Sequence, residues 1–285
     1  MYAFGGYSRL DGDIEYFFRR AGQNETLRAF YPDGYRPVLD SQLENFSIAT
    51  GLRGTDLAGF GWDVSSLYGV STQDLHYDNS VNVTLGAASP RRFYRLGSDF
   101  YQWTNNLDLT RAIPIGDGAP VNIAIGVEHR EETYRLFSGA PAGYLNGGVP
   151  ILDGPNAGRP AIIGAQPGPS NSADDRASLS RRSWAVYGDA EKTLFDRVLL
   201  QGTVRHENYS DFGSTTNFKV AGRLGLVGGL AARASYNTGF RAPALAQSGY
   251  NASNTLILNG QQAIVRVASV DSPAARLAGA TDLKP

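Results

Sequence analysis

"FYQWTNNLDLTR" occupies residues 100–111, and its apolar and polar side chains alternate from Tyr101 to Leu109, with Asn105 the one polar residue on the apolar side of that run. In an extended chain Tyr101, Trp103, Leu107 and Leu109 fall on one face, with Gln102, Thr104, Asn106 and Asp108 on the other. A period of two marks a β-strand with one face in an apolar medium and one face wet. The next residues, "AIPIGDGAP" (112–120), carry the turn dipeptide Asp117-Gly118, and "VNIAIGVEHR" (121–130) alternates again. There Val121, Ile123, Ile125 and Val127 oppose Asn122, Ala124, Gly126 and Glu128. A hairpin over 100–130 follows.

The same pattern recurs in both directions. Residues 43–52 place Phe46, Ile48 and Leu52 together, and residues 60–70 do so with Phe60, Trp62, Val64 and Tyr68. "RSWAVYGDAEK" (182–192) and "RVLLQGTVRHENY" (197–209) flank the tight turn "TLFD"; "NFKVAGRLGL" (217–226) and "ARASYNTGF" (232–240) flank "VGG". With "YAFGGYSRL" (2–10) this makes nine strands, and "DIEYFFRR" (13–20) could supply a tenth. Expected strand lengths are roughly 10–12 residues, long for a soluble sheet and suited to tilted membrane strands. No helix of useful length is required.

Composition narrows the class. The 34 glycines among 285 residues, about 12%, exceed the usual ~7%, and they accompany 15 Tyr, 13 Phe and one Met. No run of 18 apolar residues offers a transmembrane helix, and "MYAFGGYSRL" has no signal-peptide pattern. Cysteine is absent, which excludes disulfides and thiolate chemistry, and the net charge of −1 gives no basic excess for nucleic acid. The membrane class compatible with all of this is the antiparallel β-barrel. Connections alternate short and long, with long ones expected at roughly 11–41, 71–99 and 136–181, as in outer-membrane barrels. Two aromatic girdles are expected. One holds Tyr68, Tyr101, Trp103, Tyr134, Trp184, Tyr209, Phe218, Tyr236 and Phe240; the other holds Tyr2, Phe4, Phe60, Trp62 and Phe195. Arg130, Arg205, Glu207, Lys219, Arg223 and Arg233 on the polar faces suit a wet lumen. The competing reading is a soluble β-sandwich, which also alternates.

With the strands placed, an ordered set of motifs becomes legible. "YNTGFRAPALAQ" (236–247), "RHENYSDFGSTTNFKVAGRLGL" (205–226), "LKP" (283–285), "FYPDGYRP" (30–37), "NSVNVTLGAASPRRFY" (79–94) and "NIAIGVEHREETY" (122–134) together resemble the barrel of TonB-dependent outer-membrane receptors. The resemblance implies an incomplete transmembrane barrel segment over 1–285, with no plug domain, TonB box or signal peptide and with C-terminal strands missing. It implies a bacterial outer membrane location, lipid around the barrel, and a TonB complex acting through the missing plug and TonB box. The implied role is import of a scarce solute such as a ferric siderophore or an oligosaccharide. Arg241-Ala242-Pro243 would mark where a strand emerges and becomes a surface loop. The alternatives are a passive porin-like barrel and a soluble carbohydrate-binding β-protein.

The expected small-molecule contacts lie on outer loops: Tyr31, Tyr35 and Tyr144 for stacking on a sugar or siderophore scaffold, and Arg91, Arg92 and Arg241 for carboxylates or phosphates. No enzyme chemistry is expected, and no metal or cofactor. His76, His129 and His206 lack metal-site spacing, and "SDFG" (210–213) lacks the other parts of a phosphotransferase. Glu131 and Glu132 point to opposite faces of one strand, and "DGDIE" (11–15) lacks the remaining ligands of a calcium loop.

Overall fold

The computed structural model describes the chain except residues 117, 259, 260, 282, 284 and 285; at 254–258, 261, 262 and 264 it describes the backbone alone. Asp117 of the expected turn and two residues of the 283–285 segment therefore lie outside the described residues.

Nine antiparallel strands follow one another in chain order: β1 (Tyr2–Glu15), β2 (Val38–Leu57), β3 (Phe60–Asp78), β4 (Phe93–Ile113), β5 (Val121–Ser138), β6 (Ala177–Leu194), β7 (Val198–Tyr209), β8 (Gly213–Gly225) and β9 (Ala231–Asn237). Each pairs only with its neighbours, and β1 does not meet β9, so the curved wall is an incomplete barrel. A separate hairpin joins β10 (Ala252–Leu258) to β11 (Gln261–Val267). Two five-residue helices, α1 (Leu245–Gly249) and α2 (Pro273–Leu277), lie in the chain after β9. None of the described helices is long and apolar enough to cross a membrane, which leaves strands free to do so.

Register shows why the sequence alternates. Leu107 on β4 stands opposite Val64 on β3 and Val127 on β5; Val64 faces Leu52 on β2, and Val127 faces Val186 on β6. These five side chains share one face, and all are exposed in the isolated chain. Ile48, Trp103, Ile125, Trp184, Leu200, Val204, Phe218, Val220 and Leu224 continue that face, and all are exposed as well. An apolar band of this extent has no protein cover. A soluble sandwich would bury that face against a second sheet. Arg130, Arg205, Glu207, Lys219, Arg223 and Arg233 all sit on the opposite face, as expected of a wet interior.

Three expectations need correction. The strands are longer than 10–12 residues: β2, β3, β4, β5 and β6 have 20, 19, 21, 18 and 18. At ~3.3 Å per residue, β2 spans about 65 Å, twice a hydrocarbon core. The surplus lies at the long-loop end, where over Ser71–Asp78 the alternation inverts: Thr72, Asp74, His76 and Asp78 take the face that carries Val64 and Tyr68, and the apolar Leu75 and Tyr77 take the other. The loops shrink accordingly to 16–37, 79–92 and 139–176, and "DIE" simply continues β1. Finally, the girdle is purer than expected. Tyr134 and Tyr209 belong to the polar face, as do Tyr2 and Phe4, because they pair in register with polar-face positions.

The turns at the other end are tight. Ala58 and Gly59 connect β2 to β3 with φ of 53° and 80°, the paired left-handed geometry that matches the twist of a hairpin.

Candidate functional site

The polar face is a wall of ion pairs. Glu128 on β5 takes Arg130 at 2.9 Å and Arg205 on β7 at 3.4 Å, and Arg205 also holds Glu207 at 2.7 Å. Tyrosines are laid over glycines to reach acids further along: Tyr2 donates to Asp63 at 2.7 Å, its ring filling the space above Gly51. Tyr187 donates to Asp108 at 2.6 Å across Gly126.

Towards the long-loop end the wall is covered. Arg181, its side chain 3% exposed, pairs with Asp211 at 2.8 Å and donates to the Pro243 carbonyl at 2.8 Å. Glu132 lies 3.8 Å away, and the rings of Tyr209 and Phe212 flank the guanidinium at 5.8 and 5.2 Å. The segment after β9 is thereby drawn inward. Leu245 enters the buried cluster of Leu39, Leu75, Tyr77, Phe93, Leu96, Tyr134 and Leu136, and Gly249 packs on Leu179. The expectation that 241–243 runs out as a surface loop is therefore corrected: Pro243 is anchored to the wall, because the buried Arg181 needs that carbonyl as well as its carboxylates.

The three long loops form one assembly. Leu27, Tyr35, Val81 and Val83 make a buried cluster against Phe30, Tyr31, Ala161 and Ile162. Asn82, fully buried, donates to the carbonyls of Ala142 and Leu145 at 2.8 and 2.9 Å and accepts from Thr84 Oγ1 at 2.7 Å. Ser80 Oγ donates to the Gln166 carbonyl at 2.6 Å, and Asn171 Nδ2 donates to the Asn251 carbonyl at 2.7 Å. Loop backbones are thus satisfied by side chains, as burial demands. Below them Tyr77 is 1% exposed and accepts from Arg95 Nε at 2.5 Å; burial pushes its pKa up to about 12.

The residues expected to meet a ligand are distributed over this assembly. Tyr31 and Tyr35 stack with centroids 4.4 Å apart. Tyr35 is 2% exposed and its hydroxyl is spent on the Glu25 carbonyl at 2.9 Å; burial raises its pKa. Tyr31 is half-buried and its hydroxyl has no hydrogen-bond partner among the described residues; burial raises its pKa, while the Arg91 cation pulls the other way. Arg91 is exposed and close enough to Tyr31 to be felt electrostatically. Arg92 is committed to Asp78 and Asp40, both at 2.9 Å, pinning its loop to the strands. Tyr144 is half-buried beside the 3-10 turn Pro141–Gly143, and Arg241 is exposed between β9 and α1. The structure thus groups Tyr31, Tyr35 and Arg91. Sequence pattern alone does not single out Arg181, Asn82 or Asn171: each is one polar residue among many in a loop or strand, and only the tertiary fold buries it. Glu131 and Glu132 do face opposite ways, meeting Arg182 at 3.3 Å and Arg181 respectively. Among the described residues no group of three or more His, Asp or Glu is placed to hold a metal ion.

Comparison with known proteins adds three findings. Residues 2–285 match the family described as "TonB dependent receptor-like, beta-barrel". No curated protein matches the chain. Among solved structures, the siderophore receptor PirA from Pseudomonas aeruginosa is similar at 14% identity and a TM-score of 0.40, over 81% of this chain and 42% of that one. The chain therefore spans less than half the length of that receptor.

Proposed function

The chain belongs to the TonB-dependent receptor β-barrel family, and from that premise we propose that it forms part of the wall and outer mouth of an outer-membrane receptor importing a scarce solute such as a ferric siderophore or an oligosaccharide. The observation that carries the reading is the contrast between the two faces. One is a continuous exposed apolar band that only lipid would cover, and the other is a polar surface laced with ion pairs. In this reading Tyr31 presents a ring face and Arg91 a cation to the ligand, with Tyr144 and Arg241 as further contacts. Tyr35 stacks behind Tyr31, and Arg92, clamped between Asp40 and Asp78, holds the loop in place. TonB would act through a plug and TonB box, coupling the inner-membrane proton gradient to release of the ligand.

The test is uptake of radiolabelled ferric siderophores and oligosaccharides by cells with and without the gene, each with TonB present and deleted. Uptake that needs both the gene and TonB supports the proposal. Gene-dependent uptake that survives loss of TonB would replace it with a passive porin-like barrel. Recovery of the protein as a folded monomer in plain buffer would overturn the membrane reading and favour a soluble carbohydrate-binding β-protein.

A further inference from the structure

At the short-turn end of the polar face, the charge balance seen higher up breaks down. Arg223 on β8 and Arg233 on β9 stand directly opposite each other in the antiparallel register. Like charges so placed destabilise a sheet unless something neutralises them. Lys219, four residues along β8, projects from the same face and donates to Gln201 Oε1 at 3.2 Å. These three cations, with Gln201 and Ser235, line a hollow of about 480 Å³ whose floor is Leu199, Ala221, Gly222 and Ala234.

Higher on this face arginines are matched: Arg130 by Glu128, Arg181 by Asp211, and Arg205 by Glu128 and Glu207. Arg53, near the β2–β3 turn, lies over the Tyr2 ring. Among the described residues none of Lys219, Arg223 and Arg233 has a carboxylate within ion-pair distance. The acids on the same face of β6, Asp189 and Glu191, are two strands from β8, roughly 9–10 Å at ordinary strand spacing. Asp189 is moreover occupied by Gln201 and Thr203, at 2.9 and 2.5 Å.

We propose that the hollow between Lys219, Arg223 and Arg233 is an anion-binding site that takes a multiply charged oxyanion, a phosphate group or a pair of carboxylates on a small solute. Two guanidinium groups carried by directly opposed residues of a strand pair can both donate to such a group, the ammonium of Lys219 adds a third charge, and Ser235 lines the same hollow. The site lies at the opposite end of the wall from the outer loops, so it is independent of the ligand contacts proposed above.

The experiment titrates inorganic phosphate and citrate separately into the full chain, refolded in maltoside micelles in Tris chloride at constant ionic strength. Phosphorus NMR and the melting midpoint are the readouts. The expected result is saturable binding of at least one of the two anions, weakened about tenfold or more by Arg233→Gln or Arg223→Gln. It should be largely kept in Arg233→Lys and unchanged in Arg176→Gln, at an exposed outer-loop arginine. A second expectation does not depend on the variants binding anything: in chloride alone Arg233→Gln melts above the wild type, and saturating anion reverses that order. Absence of saturable binding of either anion to the wild type, or equal binding by the Gln variants, overturns the proposal.

Discussion

The Tyr187 hydroxyl donates a 2.6 Å hydrogen bond to Asp108, and it does so over Gly126, the residue that separates them in the register of β4, β5 and β6. A Cβ at position 126 would stand 2.3 Å from the Tyr187 ring and 2.6 Å from the Asp108 carboxylate. The glycine is therefore required by packing, and the three residues act as a clasp across three strands.

Gly126→Ala should unseat the Tyr187 ring and destabilise the wall by about 1–3 kcal/mol. Gly188→Ala is the control. Its Cβ would meet nothing closer than Ile125 at 4.0 Å, and the substitution should be neutral or stabilising by up to ~1 kcal/mol. Urea midpoints in micelles would separate the two, and equal loss in both variants would refute the clasp.

The same comparison shows what the sequence could and could not disclose. Alternation at Tyr101–Leu109 and Val121–Val127 gave both strands and their faces, because one side meets an apolar medium and the other does not. The pattern stops being readable near Ser71–Asp78, where polar residues occupy the face that is apolar lower down and Leu75 and Tyr77 sit on the opposite one, although the strand continues. Tyr134 and Tyr209 looked like girdle residues because aromatics at strand ends are the same letters whichever way they point; only register separates them. The outer-loop candidates were legible as residue types, whereas the buried state of Tyr35 and the ion pairs of Arg92 arise from contacts between distant loops.

Arg181 is expected to be the most sensitive polar position of the wall. Arg181→Leu leaves Asp211 and the Pro243 carbonyl without their shared donor, a loss of about 1–3 kcal/mol, since Asp211 itself keeps access to water. Arg181→Lys should recover only part of it, because a single ammonium cannot serve both partners in the guanidinium's geometry. Thermal unfolding gives the stability, and protease cleavage within 238–250 should become faster in both variants. Unchanged cleavage would show that the segment is held by Leu245 and α1 alone.

Asn82→Ala removes a fully buried amide that donates to the carbonyls of Ala142 and Leu145, at an expected cost of about 1–3 kcal/mol. The effect should be local. Hydrogen exchange should accelerate in 79–92 and 139–176 while the central residues of β4 and β5 keep their protection. Uniform acceleration across the strands would mean that the loop assembly supports the whole wall.

Tyr77 gives the loop assembly an alkaline limit. Its pKa is pushed up to about 12 from 10.0, so the folded chain holds this proton more tightly than the unfolded chain. The associated stability is fully present below about pH 10 and is lost as pH rises towards 12, by up to ~1.4 kcal/mol per pH unit. Tyrosinate absorbance and unfolding should therefore rise together in that window. Tyr77→Phe should flatten the pH dependence while lowering stability at neutral pH, since Arg95 loses an acceptor. A pH profile identical to the wild type would remove Tyr77 from this role.

Leu107 and Asn106 are neighbours in sequence and face opposite media, so they test the assignment of the two faces at one height of the wall. Leu107 lies among Val64 and Val127 in the exposed apolar band, whereas Asn106 is opposite Ser65 and Glu128 on the polar face. Leu107→Arg places a charge in hydrocarbon and should cost about 2–4 kcal/mol if that position lies near the bilayer midplane. Asn106→Arg puts the same charge beside Glu128 in the wet interior and should cost less than about 1 kcal/mol. Folding yield in lipid vesicles and urea unfolding from them provide the measurement. The reverse order would invert the wall, placing the ion pairs of Arg130 and Arg205 towards lipid, which the expense of desolvating them makes untenable. Equal small costs at both positions would instead mean that neither face is lipid-covered, and the membrane assignment would fall with it.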